Sequence, residues 1–332
     1  MFAVITLVRS AQVGIPLRDP HGEILRNRLL ISAGIFVVLA VIDAIRRTPR
    51  GLRRRPAEVG KVLRHRWTRR RLVLASSGLL AYHLVYFCYH NLKSWVAFRP
   101  LRDSVLERWD HWLFLGHAPA VLLHDLLGQH VAAYVLMVFY ESFTTLVSVS
   151  VVAAVVFVDR VERGYVFLAS GMWTWIFGVG SYYLLPTIGP FHQAPADFAG
   201  LPHTMIQRTQ AEYVAQRTHL LADPQAHDAF AQLGAFASLH VALTTLVLLM
   251  AHHYGLKRAT RAMVAWVGIT MVATVYLGWH YAIDDLAGIV IAVVSVVLGR
   301  AMVDRRAHRD RTASPGSSDR AQPTLSGPAA RS

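Results

Sequence analysis

Along the chain, long apolar runs alternate with short polar or basic stretches. Seven runs stand out, at 29–45, 72–89, 131–158, 165–185, 238–254, 262–278 and 281–303. Each comes close to or exceeds the roughly 20 residues a helix needs to cross about 30 Å of hydrocarbon. The pattern predicts an all-α, polytopic transmembrane bundle, with six core spans and one added N-terminal span. Residues 91–130 alternate in character and predict one or two short helices lying at a membrane interface. Pro186 and Pro190 close the fourth run. Residues 191–235 are polar and too long for a mere connector, which suggests a lid or access loop. Residues 1–28 mix apolar and charged positions and read as a surface helix or a disordered segment. The expected division is 1–28 as an N-terminal segment and 29–71 as an extra span with a basic loop. The membrane domain then covers 72–303, and 304–332 form a disordered basic tail.

Composition sharpens this picture. Of 332 residues, 54% are hydrophobic and 16% are charged, and the mean hydropathy is +0.36, which excludes an ordinary soluble domain. The net charge of +14 would suit a nucleic-acid partner, but it collects in loops beside the apolar runs. Residues 46–71 hold about a dozen Arg and Lys against one acid, Glu58. That is the bias of a cytoplasmic loop, so nucleic acid is not an expected partner and membrane lipids are. Alternation from that loop puts 159–164, 255–261 and the tail inside, each with Arg or Lys. It puts 91–130, 186–238 and 278–281 outside. Four arginines, Arg9, Arg18, Arg26 and Arg28, then fall outside against the bias. The single cysteine, Cys88, lies in an apolar run and reads as a core thiol.

The chemistry-bearing residues gather on the predicted outer face. His280 and Asp284 stand four apart, on one face of a helix. A carboxylate on one imidazole nitrogen fixes the tautomer and sharpens the other nitrogen as nucleophile or base. His240 opens a different run, and Ser238 precedes it at a helix N-terminus suited to an anion. The plainer reading makes both histidines interface markers and Ser238 a cap. Glu141, inside a span, fits a functional or a structural role, and Asp285 reads as a cap or a solvated acid.

Ser238-Leu239-His240, followed by His280-x-x-x-Asp284 and Gly288, resembles two signature motifs of the type-2 phosphatidic-acid phosphatase superfamily. Tyr183-Leu-Leu-Pro186-Thr-Ile-Gly189-Pro190 and the tyrosine after His280 resemble its inositol-phosphorylceramide synthase-like branch, an inositolphosphotransferase group. The resemblance covers about residues 72–303. It implies that His280 is a nucleophile forming a phosphohistidine, that Asp284 orients it, that His240 protonates the leaving oxygen and that Ser238 contacts phosphate. It implies a lipid phosphate as substrate and neither metal nor other cofactor. Three departures accompany it. Ala237 stands where a proline commonly precedes the serine, Thr274 stands where an arginine is usual, and 181–190 contain no Lys or Arg. Phosphoryl transfer depends on cations, so they must come from elsewhere; Lys93, Arg99, Arg208 and Arg217 are the candidates on the same face.

Three function classes follow. The first is a membrane lipid-phosphate phosphatase or phosphotransferase at the outer face, with phosphoinositol head-group transfer to a lipid hydroxyl as its variant. Its expected location is the plasma (inner) membrane, with the site extracytoplasmic. The second is a non-enzymatic transporter or scaffold, for which His280→Ala would cost only stability. The third is a metal enzyme ligated by His240, His280 and Asp284, which a chelator would inactivate. The sequence fixes no oligomeric state.

Overall fold

The computed structural model describes residues 1–53 and 55–312. Among them are thirteen α-helices and no strand. In chain order they are α1 (Phe2–Val13), α2 (Arg26–Arg47), α3 (Pro56–Arg66), α4 (Arg69–Ser94), α5 (Asp103–Leu113), α6 (Pro119–Leu127), α7 (Val131–Val156), α8 (Val161–Leu184), α9 (Pro190–Gln193), α10 (Met205–Ala222), α11 (Leu239–His253), α12 (Lys257–Tyr276) and α13 (Ala282–Thr312).

Each of the seven apolar runs is a helix. Five of these, α2, α4, α7, α12 and α13, are long and apolar enough to cross a membrane. The other two lie at the centre. Helix α8 packs against α4, α7, α11 and α13, and α11 against α7, α8, α12 and α13. Because neighbours rather than lipid surround α8, it can carry small and polar residues. Gly164, Gly171 and Gly178 recur every seventh residue on its surface. A methyl group at Gly164 would come within 2.3 Å of the Ala154 carbonyl, and one at Gly178 within 2.6 Å of Leu239. Small residues are how helices approach closely when lipid supplies no hydrophobic drive.

The two ends of the bundle differ in charge. At one end, arginines close the C-terminus of α7. Arg66 and Arg71 each donate to the Val158 carbonyl at 2.6 Å. Arg47 pairs with Asp43 at 2.9 Å and with Asp159 at 3.0 Å. Cations suit the carbonyl end of a helix. Lys257 and Arg258 open α12, directly after the turn that follows α11.

The opposite end carries the histidine motifs, and the N-terminal segment packs there. Within residues 1–28, α1 packs against α4. The Arg18 amide donates to Asn91 Oδ1 at 2.8 Å, and its guanidinium donates to the carbonyls of Ala229 and Pro224. Arg9 lies over the Tyr183 ring and Arg28 over Tyr86. Arg26 donates to the His21 carbonyl at 2.8 Å and to Asn27 Oδ1 at 3.3 Å, so all four arginines that oppose the charge bias are engaged by protein. Residues 91–130, expected to hold one or two short helices, contain the end of α4 and two short helices, α5 and α6.

Residues 191–235 depart from the loop expectation, because they contain α10. Its start is a reciprocal cap: the Thr204 hydroxyl accepts from the Ile206 amide, and the Gln207 side chain accepts from the Thr204 amide. Helix α13 continues to Thr312, into the segment expected as tail; residues 313–332 lie outside the described residues. Cys88 is buried.

Candidate active site

Four chain segments meet at the histidine-bearing end: the turn between α12 and α13, the start of α11, residues 181–191, and α5. The turn carries His280. Just after it, α13 begins with its first amide groups unpaired within the helix, as every helix does. Asp110 of α5 accepts from the amides of Ala282 at 2.7 Å and Ile283 at 3.0 Å. Asp284 reaches back to accept from the Tyr281 amide at 3.0 Å. Asp103, two turns earlier on the same face of α5, accepts from the amides of Ile188 and Gly189 and from the Tyr281 hydroxyl. Two carboxylates of one short helix therefore fasten both the His280 turn and the 188–189 segment.

The start of α11 is tied to the same unit. The Ser238 amide donates to the Asp284 carbonyl at 3.0 Å. Helix α13 passes close by at Gly288, where a Cβ would stand 2.4 Å from the Ser238 carbonyl. Before it, the Ser181 hydroxyl bonds the Phe236 carbonyl and the Ala237 amide, and the Thr187 hydroxyl accepts from the Phe236 amide.

These ties bring His240 and His280 together, with ring centres 5.8 Å apart. His280 Nδ1 lies 3.4 Å from Asp284 Oδ2, in contact but without the alignment of a hydrogen bond. His240 stacks on Tyr140 at 4.3 Å and packs against Phe143. His280 is 5% exposed. Burial, reinforced by the nearby Lys93 charge and opposed by the Ala235 carbonyl, pushes its pKa down to about 3. Burial likewise raises Asp103 and Asp110 above the usual carboxylate range, although the amides they accept from oppose it.

Both imidazoles line a cavity of about 350 Å³. Of the cations expected near phosphate, Lys93 lines it, with its ammonium 5.7 Å from the Tyr182 ring. No carboxylate among the described residues pairs with Lys93. Arg99, Arg208 and Arg217 stand outside the lining: the first two are exposed, and Arg217 donates to the Ala97 carbonyl at 3.2 Å. Ser238 is also absent from the lining. It is fully buried, its hydroxyl accepting from the Val241 amide and bonded to Asp285. Asp285, expected as a cap or a solvated acid, is instead buried and accepts from the Thr274 hydroxyl at 3.0 Å. Among the described residues no three His, Cys, Asp or Glu side chains group as a metal-ligand set.

The cavity also holds residues the motif reading missed: Arg28 of α2, Tyr86 and His90 of α4, and Tyr140 of α7 line it. Glu141 of α7, singled out in the sequence for its place inside a span, lines it as well. One signal was present in the sequence: Tyr82, Tyr86, Tyr89 and Lys93 recur at helical spacing through an otherwise apolar span, a polar stripe that lipid would not tolerate.

A family model described as the PAP2 superfamily matches residues 104–298, from α5 into α13. No curated protein and no solved structure matches the chain.

Proposed function

The chain belongs to the PAP2 superfamily, and from that premise we propose that it is a membrane-embedded phosphatase or phosphotransferase acting on lipid phosphate esters through a phosphohistidine. The observation that carries this reading is the pair of imidazoles, 5.8 Å apart, in one cavity with the unpaired cation of Lys93. With Nδ1 of His280 turned to Asp284, Nε2 is the nitrogen left to attack phosphorus. The P–O bond to the lipid breaks, a P–N bond forms, and a proton relayed through His240 goes to the departing alkoxide. Water or a second alcohol then attacks phosphorus, loses its proton to His240 and releases His280. The low pKa of His280 keeps its imidazole neutral, and so nucleophilic, at physiological pH. Lys93 takes the charge-stabilising part that the missing arginine at Thr274 leaves open. Ser238 acts through the frame, joining α11 to α13 and Asp285, rather than by touching phosphate through its hydroxyl. The basic residues at the far end of the bundle support an extracytoplasmic site.

Transfer of a phosphoinositol-type head group to a lipid hydroxyl, as in the inositol-phosphorylceramide synthase-like branch, is the second reading. The lining favours it: Tyr86, Tyr89, Tyr140, Tyr182 and Tyr213 with Gln232 offer aromatic faces and hydrogen-bonding edges to a ring polyol.

The test is phosphate release from a panel of lipid phosphates by detergent-purified protein, with and without chelator. Wild type releases phosphate in either condition, and vanadate inhibits it. His280→Ala and His240→Ala lose about 10³-fold or more, and Lys93→Met about 10²-fold. A His280→Ala protein that keeps the wild-type rate sinks the mechanism. Release that appears only with an added polyol or lipid alcohol selects transfer over hydrolysis.

A further inference from the structure

Helix α2 precedes the region matched by the family, yet it reaches the reaction cavity. Arg28, in its first turn, lines the cavity beside Tyr86. It also lines a groove that continues away from the histidines between α2 and a wall made by α4, α7 and α8. The two spaces share Arg28, Tyr86, Phe143, Thr144 and Trp175, so they adjoin and together mark one path. Along α4 that path covers Tyr82 to Lys93, about 16 Å of helix rise. Deeper in, its walls become apolar, with Ile31 of α2 and Val147 and Val151 of α7.

Three features of this path ask for an occupant. Arg28 carries its charge in the first turn of a helix, where the macrodipole is already positive and where α2 has no acidic residue in that turn. Its recorded partner is the Tyr86 ring at 5.2 Å, and no carboxylate among the described residues pairs with it. His83, 8% exposed, lines the groove with an Nε2 that has no hydrogen-bond partner among the described residues. An unpaired guanidinium and a buried, unpartnered imidazole are costly within a membrane. An anionic head followed by an ester and a hydrocarbon chain matches them in order of depth.

We propose that the groove between α2 and the α4–α7–α8 wall takes one hydrocarbon chain of an anionic phospholipid, with Arg28 at its mouth neutralising the negative head group and His83 meeting the ester oxygens. This rests on the lipid-phosphate reading for the identity of the substrate, while the site itself is built from α2 and α4, before the matched region. It makes the N-terminal helix a part of the substrate site rather than an added anchor.

The experiment uses the intrinsic fluorescence of Trp175, whose indole borders both spaces. Purified full-length protein in a neutral detergent is titrated with a single-chain lysophosphatidic acid brominated along its chain. Lysophosphatidylcholine brominated in the same way serves as the zwitterionic comparison. Trp175→Phe identifies the Trp175 component. The expected result is saturable quenching of that component by the anionic lipid. Arg28→Gln weakens its apparent affinity about tenfold, which Arg28→Lys largely restores, and leaves the zwitterionic lipid unchanged. Ile31→Phe, which narrows the groove, weakens both. Equal affinity of wild type and Arg28→Gln for the anionic lipid, with both proteins folded by thermal melting, overturns the proposal, as does quenching that never involves Trp175. His280→Ala separates this result from the catalytic reading: it binds as wild type does, so binding without phosphate release from any lipid leaves the groove standing and removes the proposed reaction.

Discussion

His280 sits in a pocket that resists its protonation, and the sign of the consequence is fixed. Its pKa is about 3 in the fold against about 6.5 in an unfolded chain. Between those values the unfolded chain takes up a proton that the folded site refuses, so stability falls as pH is lowered through that window and is level above it. The expected outcome is a wild-type thermal midpoint that drops on acidification from pH 6.5 toward 4, with a contribution on the order of a few kcal/mol from this residue. His280→Asn removes that contribution and flattens the slope. Melting curves of the two proteins in parallel buffers test it, and identical pH slopes would refute the burial of the imidazole. Residues were also where the sequence was least complete. His240, His280 and Asp284 were legible because their spacing follows from helix geometry and two spans that cross and return. Arg28, His90 and Tyr140 were not, because their place in the cavity depends on which helix packs beside which. Arg99, Arg208 and Arg217 had the expected charge and the expected end of the molecule, but charge and end do not determine where a side chain points.

Between elements, the join of α5 to α13 holds the site. Asp110 accepts two amide hydrogen bonds from the first turn of α13. Asp110→Ala leaves both amides unpaired in a buried setting, at an expected cost of about 1–3 kcal/mol. Activity falls with it, because the turn that aims His280 is released. Asp110→Asn keeps one acceptor and falls between the two. Thermal melting and turnover measured on the same preparations check this; an alanine variant with unchanged melting would show that the contact carries no load. The helices themselves were largely legible, since each apolar run became one. Helix α10 was not, because its polar composition hid it and only the Thr204–Gln207 pairing marked its start. The shortness of α11 and the glycine repeat of α8 have the same origin: helices wrapped by other helices are freed from the length and hydropathy that lipid demands.

For the whole molecule, the segregation of basic loops from the histidine motifs predicts an orientation. A cysteine placed at His203 reacts with a membrane-impermeant maleimide added to intact cells, and one placed at Arg258 reacts only after the cells are opened. The native Cys88 is buried and leaves the background low. The reverse labelling pattern would put the cavity on the cytoplasmic side. Helix α5 gives this arrangement a mechanical side. Its inward face holds Asp103, Leu106 and Asp110, while Trp109, Trp112 and Leu113 are exposed, a set that seats in the head-group layer. The same short helix thus offers an aromatic side suited to a bilayer surface and grips the His280 turn and residues 188–189 with its carboxylates. With α5 seated among lipid head groups, lateral pressure in that layer would bear on the histidine turn, so turnover is expected to change with membrane tension, which activity measured in vesicles of graded lipid packing tests.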